Sequence, residues 1–196
     1  MSKELDWELL DRHIDESAGL MLFEKRIDRL RNPRNQKEFD RIILESVDWV
    51  NVVALDAQGH SVMIRQFRFG VGYTTLETPG GMVDPGEDSF TAARRELLEE
   101  TGYSSDNWQY LGAVEPNPAI HNHLCHHWLA NDVYRSSDQA LGDGEQIQIE
   151  IMSVEAVQAA VQSGELKHAL ALSALARVMP LWPLPFTQPY YSDAAK

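Results

Sequence analysis

The stretch GGMVDPGEDSFTAARRELLEETGY, residues 80–103, constrains this chain more than any other. It opens on two glycines, passes a Pro-Gly turn and then reads as a helix dense in carboxylates. Asp88 or Ser89 is placed to cap the helix start, and Gly102 to end it in the left-handed conformation. At about 100° per residue, Glu96, Glu99 and Glu100 share one sector, as i,i+3 and i,i+4 neighbours. Phe90, Leu97 and Thr101 fall on another side, suited to packing on a sheet. Like charges at that spacing cost about 0.2–0.5 kcal/mol per pair, and the helix C-terminus is the wrong end for anions. A solvated face with Arg94 and Arg95 as local partners would explain an ordinary Glu-Glu pair. Here the glycine approach, the spacing and the caps agree on a bound cation instead. Oxygen-only ligands suit Mg²⁺, with Mn²⁺ as a substitute, over zinc.

The 196 residues suffice for one sizeable core. Thirty acidic residues against seventeen Lys and Arg give a formal charge of −13. That field repels nucleic acid and leaves no basic footprint for phosphates, so no nucleic-acid partner is expected. No apolar run is long enough to cross a bilayer, and no membrane partner is expected. The acidic start MSKELDWELLDRHIDES lacks the plan of a secretory signal, and the single cysteine, Cys125, has no partner within the chain. Both favour a reducing, cytoplasmic setting.

Along the chain, residues 1 to about 18 read as a short amphipathic helix. Strands are expected over 20–30, 39–44 and 50–55, with NPRNQ (32–36) as a turn. DAQGH reads as a hairpin turn around Gly59, leading into the strand SVMIRQFRF. GVGY breaks that strand, and residues 74–78 form a brief extended piece. Further strands are expected over 108–114, 121–134 (HNHLCHHWLANDVY) and IQIEIMS. SVEAVQAAVQSG and LKHALALSALARVM have helical spacing, with Ser153 and Gly164 as start and stop. The tail PLWPLPFTQPYYSDAAK holds four of the nine prolines and reads as an irregular arm. The pattern is α+β, a largely antiparallel sheet with helices inserted. It divides into a helix-and-strand extension at 1–48, a main domain at 49–180 and a tail at 181–196.

Residues 81–103 resemble the Nudix box, G-x5-E-x7-R-E-U-x-E-E-x-G-U with U aliphatic. Gly81, Glu87, Arg95, Glu96, Leu97, Glu99, Glu100 and Gly102 fill its defined positions; Tyr103 departs from the last aliphatic slot, which packs on the core. The resemblance implies an α/β/α sandwich with a mixed sheet and hydrolysis of a nucleoside diphosphate linked to another group. It implies metal ligation by Glu96, Glu99, Glu100 and the backbone carbonyl of Gly80. It also implies that Arg95 orients a glutamate and that Glu87 braces the loop.

The flanks MIRQFRF and LETPGGMVDPGED, with Pro118 sixteen residues past Gly102, resemble the ADP-ribose and nucleoside-diphosphate-sugar pyrophosphatases. This branch implies ADP-ribose as first substrate, cleaved to a nucleoside monophosphate and a sugar phosphate. GDP-mannose or another sugar nucleotide is the runner-up, followed by dinucleoside polyphosphates or oxidised nucleoside triphosphates. Arg65 and Arg68 become candidates for the diphosphate or terminal ribose, against the plainer reading of surface arginines. Glu77 is a candidate for nucleotide or dimer contact, against a strand-end charge. Glu145 matches the loop glutamate that acts as general base, with Glu100 or another box glutamate as the alternative, on a segment able to close over substrate. Trp49 is a candidate for stacking on a base, against packing before a core strand. A homodimer built partly from N-terminal strands is implied as well.

If HNHLCHH were all strand, His121, His123, Cys125 and His127 would share one face. A structural zinc site wants ligands from two segments, and no second cluster exists. One of these histidines, His123, is therefore expected to line the sugar pocket. Two other readings on the same fold stay open. One is a sensor that binds ADP-ribose-like ligands without cleaving them, although sensors commonly lose box glutamates. The other is an isoprenoid diphosphate isomerase, which needs an active-site cysteine.

Overall fold

The computed structural model describes residues 8–14 and 22–182, and the proline-rich arm from 183 onward lies outside them. Residues 8–14, expected as helix, form strand β1 (Glu8–Ile14). A bulge between Leu9 and Asp11 breaks the strand's alternation, which is why its period misleads. What makes it a strand is distant in sequence: β1 pairs antiparallel with β2 (Glu24–Arg31), and β2 with β3 (Glu38–Glu45). These strands belong to a unit that also takes in residues 115–124.

At the centre of that sheet Asp28 is 4% exposed. It accepts from Arg12 Nε at 2.9 Å and Arg26 Nε at 3.0 Å. Burial alone would raise its carboxyl pKa; the guanidinium bonds prevail and hold it below the usual value. Asp28→Asn should cost about 2 kcal/mol at pH 7, less than a fully buried pair because Arg12 is half exposed. A depressed carboxyl stabilises above its unfolded pKa, and that contribution is lost as pH falls through the folded one. Urea denaturation should therefore show the wild-type advantage shrinking as pH drops below about 3.8.

The second unit comprises residues 48–114 and 125–196, described to 182. In chain order it holds β4 (Trp49–Ala54), β5 (Ser61–Arg68), β6 (Tyr73–Glu77), α1 (Ser89–Thr101), β7 (Tyr103–Ser104) and β8 (Asn107–Val114). There follow β9 (Cys125–Asn131), β10 (Tyr134–Arg135), β11 (Ile147–Met152), α2 (Val154–Ser163) and α3 (Ala169–Leu175). One sheet has the order β4-β9-β8, with β4 parallel to β9; another has the order β11-β5-β6, all antiparallel. Period-2 alternation in β4 builds two cores at once. Val50, Val52 and Ala54 pack with Ala92, Ala93 and Leu97 of α1. Val53 packs with Val157 and Ala160 of α2 and Ala174 and Leu175 of α3. The result is an α/β/α sandwich with mixed sheet pairing.

Three expectations are corrected here. The Asp56–Gly59 turn forms, with Asp56 Oδ1 accepting from the N–H of Gln58 and His60, yet no hairpin follows it. Only Leu55 and Ser61 bridge before β4 and β5 part into different sheets. The expected strand over 121–134 begins only at Cys125 and stops where Asp132 takes a positive φ of 53°. His121 and His123 precede it, so the shared face of four ligand-type residues does not exist. α3 is also shorter than its apolar spacing suggested, starting after a His168 cap.

Candidate active site

The acidic helix is framed at both ends. Asp88 Oδ1 accepts from the N–H of Phe90 at 2.9 Å and Thr91 at 3.0 Å, and the Gly102 N–H donates to Leu98 O at 2.7 Å. Gly102 sits at φ 73°, which glycine adopts without strain. The approaching loop is hydrogen-bonded along β4: Val52 N–H donates to Pro79 O, Val50 N–H to Gly81 O and Val83 N–H to Asp48 O, each at 2.8 Å. Close approach dictates both glycines. A Cβ on Gly80 would overlap the Val50 carbonyl, and one on Gly81 would overlap the Glu96 carboxylate. The Gly80 N–H donates to Glu100 Oε2 at 2.8 Å, which joins loop to helix.

Arg95 is the strut of the arrangement. Its Nε and Nη2 donate to the two oxygens of Glu87 at 3.1 and 2.9 Å, and Nη2 also donates to Met82 O at 2.9 Å. Its Nη1 donates to Glu96 at 2.8 Å and Glu99 at 3.3 Å. Glu87 in turn accepts the Asp84 N–H at 3.0 Å. The Arg95 bonds hold the Glu87 carboxyl below its usual pKa range.

Two helix carboxyls are shifted the other way. Glu100 is 4% exposed; burial pushes it up to about 8, with Glu96 and Glu145 adding to the rise against the Gly80 N–H and Arg68. Burial also raises Glu96, helped by Glu99 and Glu145 and opposed by Arg95. Glu145 thus lies within electrostatic reach of both. It sits on a tight turn, where its Oε2 accepts the Gly142 N–H at 2.9 Å and its own N–H donates to Gly142 O at 3.0 Å. Gln139 ties the same loop to the helix, donating to Glu100 O at 2.6 Å.

Among the described residues, no three acidic, histidine or cysteine side chains converge as a ligand group for one ion. In this structure Arg95 occupies Glu96 and Glu99. The donor chemistry nonetheless fits a hard divalent cation. The set is all oxygen, it crowds mutually repelling carboxyls, and burial strips Glu100 of the solvent that would support its charge.

The other expected residues divide. Arg68 donates from Nε and Nη2 to the two oxygens of Glu77, both at 2.7 Å, and the Thr75 hydroxyl also donates to Glu77. Burial would raise the fully buried Glu77, but Arg68, His168 and Thr75 hold it below its usual value. His168 was not singled out in the sequence. Its Nε2 lies 3.5 Å from Glu77 Oε2 while its Nδ1 accepts the Ala171 N–H that begins α3. Arg65 is turned to another carboxylate pair, Glu150 at 2.5 Å and Glu165. Trp49 is half buried at the start of β4, bridged by its backbone to Met82. Pro118 and His123 belong to the N-terminal unit, where Pro118 is exposed and His123 is 3% exposed with its ring stacked on His121. Cys125 donates to Asn51 Oδ1 at 3.1 Å, and burial pushes its thiol up to about 12, which suits packing and not nucleophilic chemistry.

Comparison with known proteins bears on the family and the fold. The NUDIX domain family matches residues 46–172. An ADP-ribose pyrophosphatase of Bacillus subtilis is 29% identical over 136 residues, covering 69% of this chain and 74% of that protein. A methanol dehydrogenase activator of Bacillus methanolicus is 29% identical over 134 residues, covering 67% of this chain and 72% of that one. The crystal structure of an ADP compounds hydrolase superposes with a TM-score of 0.76 at 24% identity, covering 90% of this chain and 95% of that chain, and it shows the same fold. Nudix hydrolases generally use divalent cations. With the family match extending across α1 and both sheets, the chain belongs to the NUDIX family and is a Nudix hydrolase of the branch that holds the ADP-ribose pyrophosphatases.

Proposed function

We propose that this hydrolase cleaves the pyrophosphate bond of a nucleoside diphosphate sugar, ADP-ribose first. One observation carries the reading: Glu96, Glu99 and Glu100 project from one sector of α1 beside the Gly80–Gly81 loop, with Glu145 in electrostatic reach. The name borne by the similar protein of Bacillus subtilis supports the choice of ADP-ribose.

Mg²⁺, or Mn²⁺ in its place, when bound would neutralise the diphosphate, acidify water and offset the −13 charge that otherwise repels such a substrate. Glu96, Glu99, Glu100 and the Gly80 carbonyl are the residues to hold it. Glu145 takes the proton of the attacking water. The water oxygen bonds to phosphorus, the bridging P–O bond breaks, and a nucleoside monophosphate and a sugar phosphate leave. Arg95 keeps Glu96 and Glu99 in place. Arg68, oriented by the buried Glu77, offers its exposed edge to the diphosphate or terminal ribose. The active form is a homodimer, to be checked by sedimentation.

The test is a panel of ADP-ribose, GDP-mannose, ADP-glucose, UDP-glucose and diadenosine polyphosphates with Mg²⁺ and Mn²⁺. ADP-ribose should give the highest kcat/KM, with AMP released in step with ribose phosphate. Tight ADP-ribose binding without cleavage under either metal would overturn the enzymatic reading in favour of a sensor.

A further inference from the structure

Beside the acid face, α1 presents a second stripe that adjoins it through Arg95. Thr91, Arg94, Arg95 and Leu98 follow the i, i+3, i+4, i+7 spacing of one helix face. They stand outside the apolar core that α1 builds with β4. They form one wall of a cleft of about 330 Å³, closed on the other side by Ser104 of β7, Asp106, Trp108 of β8 and Tyr134 of β10. The β7–β10 pairing sets Tyr134 directly across from Ser104.

The wall chemistry is uneven in a way that surface decoration would not require. Arg94 is exposed, and no carboxylate among the described residues pairs with it; its guanidinium lies 5.7 Å from the Phe90 ring. A guanidinium with no carboxylate partner among the described residues, in a chain of charge −13, can accept an anion. Trp108 is held rigid: its Nε1–H donates to Ser105 O at 2.8 Å and its ring meets Phe90 edge-on at 5.6 Å. Tyr134 is 49% exposed, so a ring face is open to a ligand. Asp106 at the mouth is an acceptor for hydroxyl or amino groups. The volume sits at the low end for small-molecule sites, room for one base and one ribose phosphate and too little for a dinucleotide.

We propose that this cleft along α1 binds a nucleoside monophosphate, phosphate to Arg94 and base against Trp108 and Tyr134, as a regulatory site. The identity of that ligand as the reaction product rests on the pyrophosphatase reading above. Coupling runs through Arg95, which lines the cleft and also holds Glu87, Glu96 and Glu99. A phosphate at Arg94 competes for the Arg95 guanidinium and loosens its hold on the catalytic carboxylates. Product accumulation would then slow turnover without blocking the substrate site.

Equilibrium dialysis of AMP, GMP and inorganic phosphate against the full chain in EDTA tests binding apart from catalysis. AMP should bind wild type, at least ~10-fold more weakly to Arg94→Ala and to Tyr134→Ala, and undiminished to Glu100→Gln. Phosphate alone should bind at least ~10-fold more weakly than AMP. In turnover assays, AMP should show a non-competitive component that Arg94→Ala removes while its rate without AMP stays at the wild-type level. Affinity untouched by both cleft variants, binding lost only in Glu100→Gln, or phosphate matching AMP would each overturn the site. Absence of hydrolysis would sink the pyrophosphatase reading and leave the dialysis result standing.

Discussion

Glu100→Gln should lower hydrolysis about 10³-fold and leave the fold intact: loss of a cation's charge stabilisation is worth several kcal/mol, and each 1.36 kcal/mol is a factor of ten. The fold survives because glutamine keeps the shape and still offers an oxygen to the Gly80 N–H. The same variant makes a less obvious prediction about stability. Burial moves the Glu100 carboxyl from 4.5 to about 8 in the metal-free chain. A pKa raised by folding stabilises below the unfolded value, and the benefit is lost as pH rises toward the folded one. In a chelator, wild type should therefore lose on the order of 4 kcal/mol from this group between pH 5 and pH 8.5. Glutamine, which imitates the protonated acid, has no such slope. Urea melts in EDTA should find the two proteins alike at pH 5 and the variant the more stable at pH 8.5. Adding Mg²⁺ should restore wild type and leave the variant unmoved. Normal turnover by Glu100→Gln with a native circular dichroism spectrum would remove the glutamate from the proposed site.

Much of this region was legible because its determinants are local. Asp88 caps α1 and Gly102 ends it through bonds within four residues, and the carboxylate sector follows from helix geometry alone. The glycine-rich approach to the helix was visible, though not what crowds it: a Cβ on Gly80 or Gly81 would meet Val50 or Glu96, thirty and fifteen residues away. What the sequence hid is set by distant partners. β1 is a strand because Arg12 reaches Asp28 and Glu8 reaches Arg31, pairings that its broken alternation does not announce. His168 reads in the sequence as one polar position within the helical stretch LKHALALSALARVM, and only the fold makes it the cap of α3 and brings its ring to Glu77. Arg65 and Arg68 are three residues apart on β5, yet one meets Glu150 and Glu165 while the other meets Glu77. Side-chain alternation separates such positions onto opposite faces. Treating them as a pair in the sequence overlooked that alternation.

Arg95→Ala should combine a loss of stability with a loss of rate, and pH separates the two. The guanidinium satisfies Glu87 at both oxygens, one oxygen each of Glu96 and Glu99, and the Met82 carbonyl. Its removal leaves Glu87 and Glu96, whose side chains are 11% and 12% exposed, without their cation. Breaking an ion pair at that depth costs about 3 kcal/mol. Glu87 has a pKa held down by Arg95, so this contribution is present above the ordinary glutamate value near 4.5 and fades as pH falls through the folded one. Denaturant midpoints should accordingly show a wide gap between wild type and variant at pH 7 that narrows below pH 4. The rate should fall at least ~100-fold, because misplacing a catalytic group by about 1 Å costs that much. Arg95→Lys should recover little of either loss, since one ammonium with three donors cannot span a backbone carbonyl and three carboxylates. If lysine restored both stability and rate, Arg95 would be acting as a diffuse positive charge. The directed bonds that Arg95 donates to Met82, Glu87, Glu96 and Glu99 would then be incidental to the site.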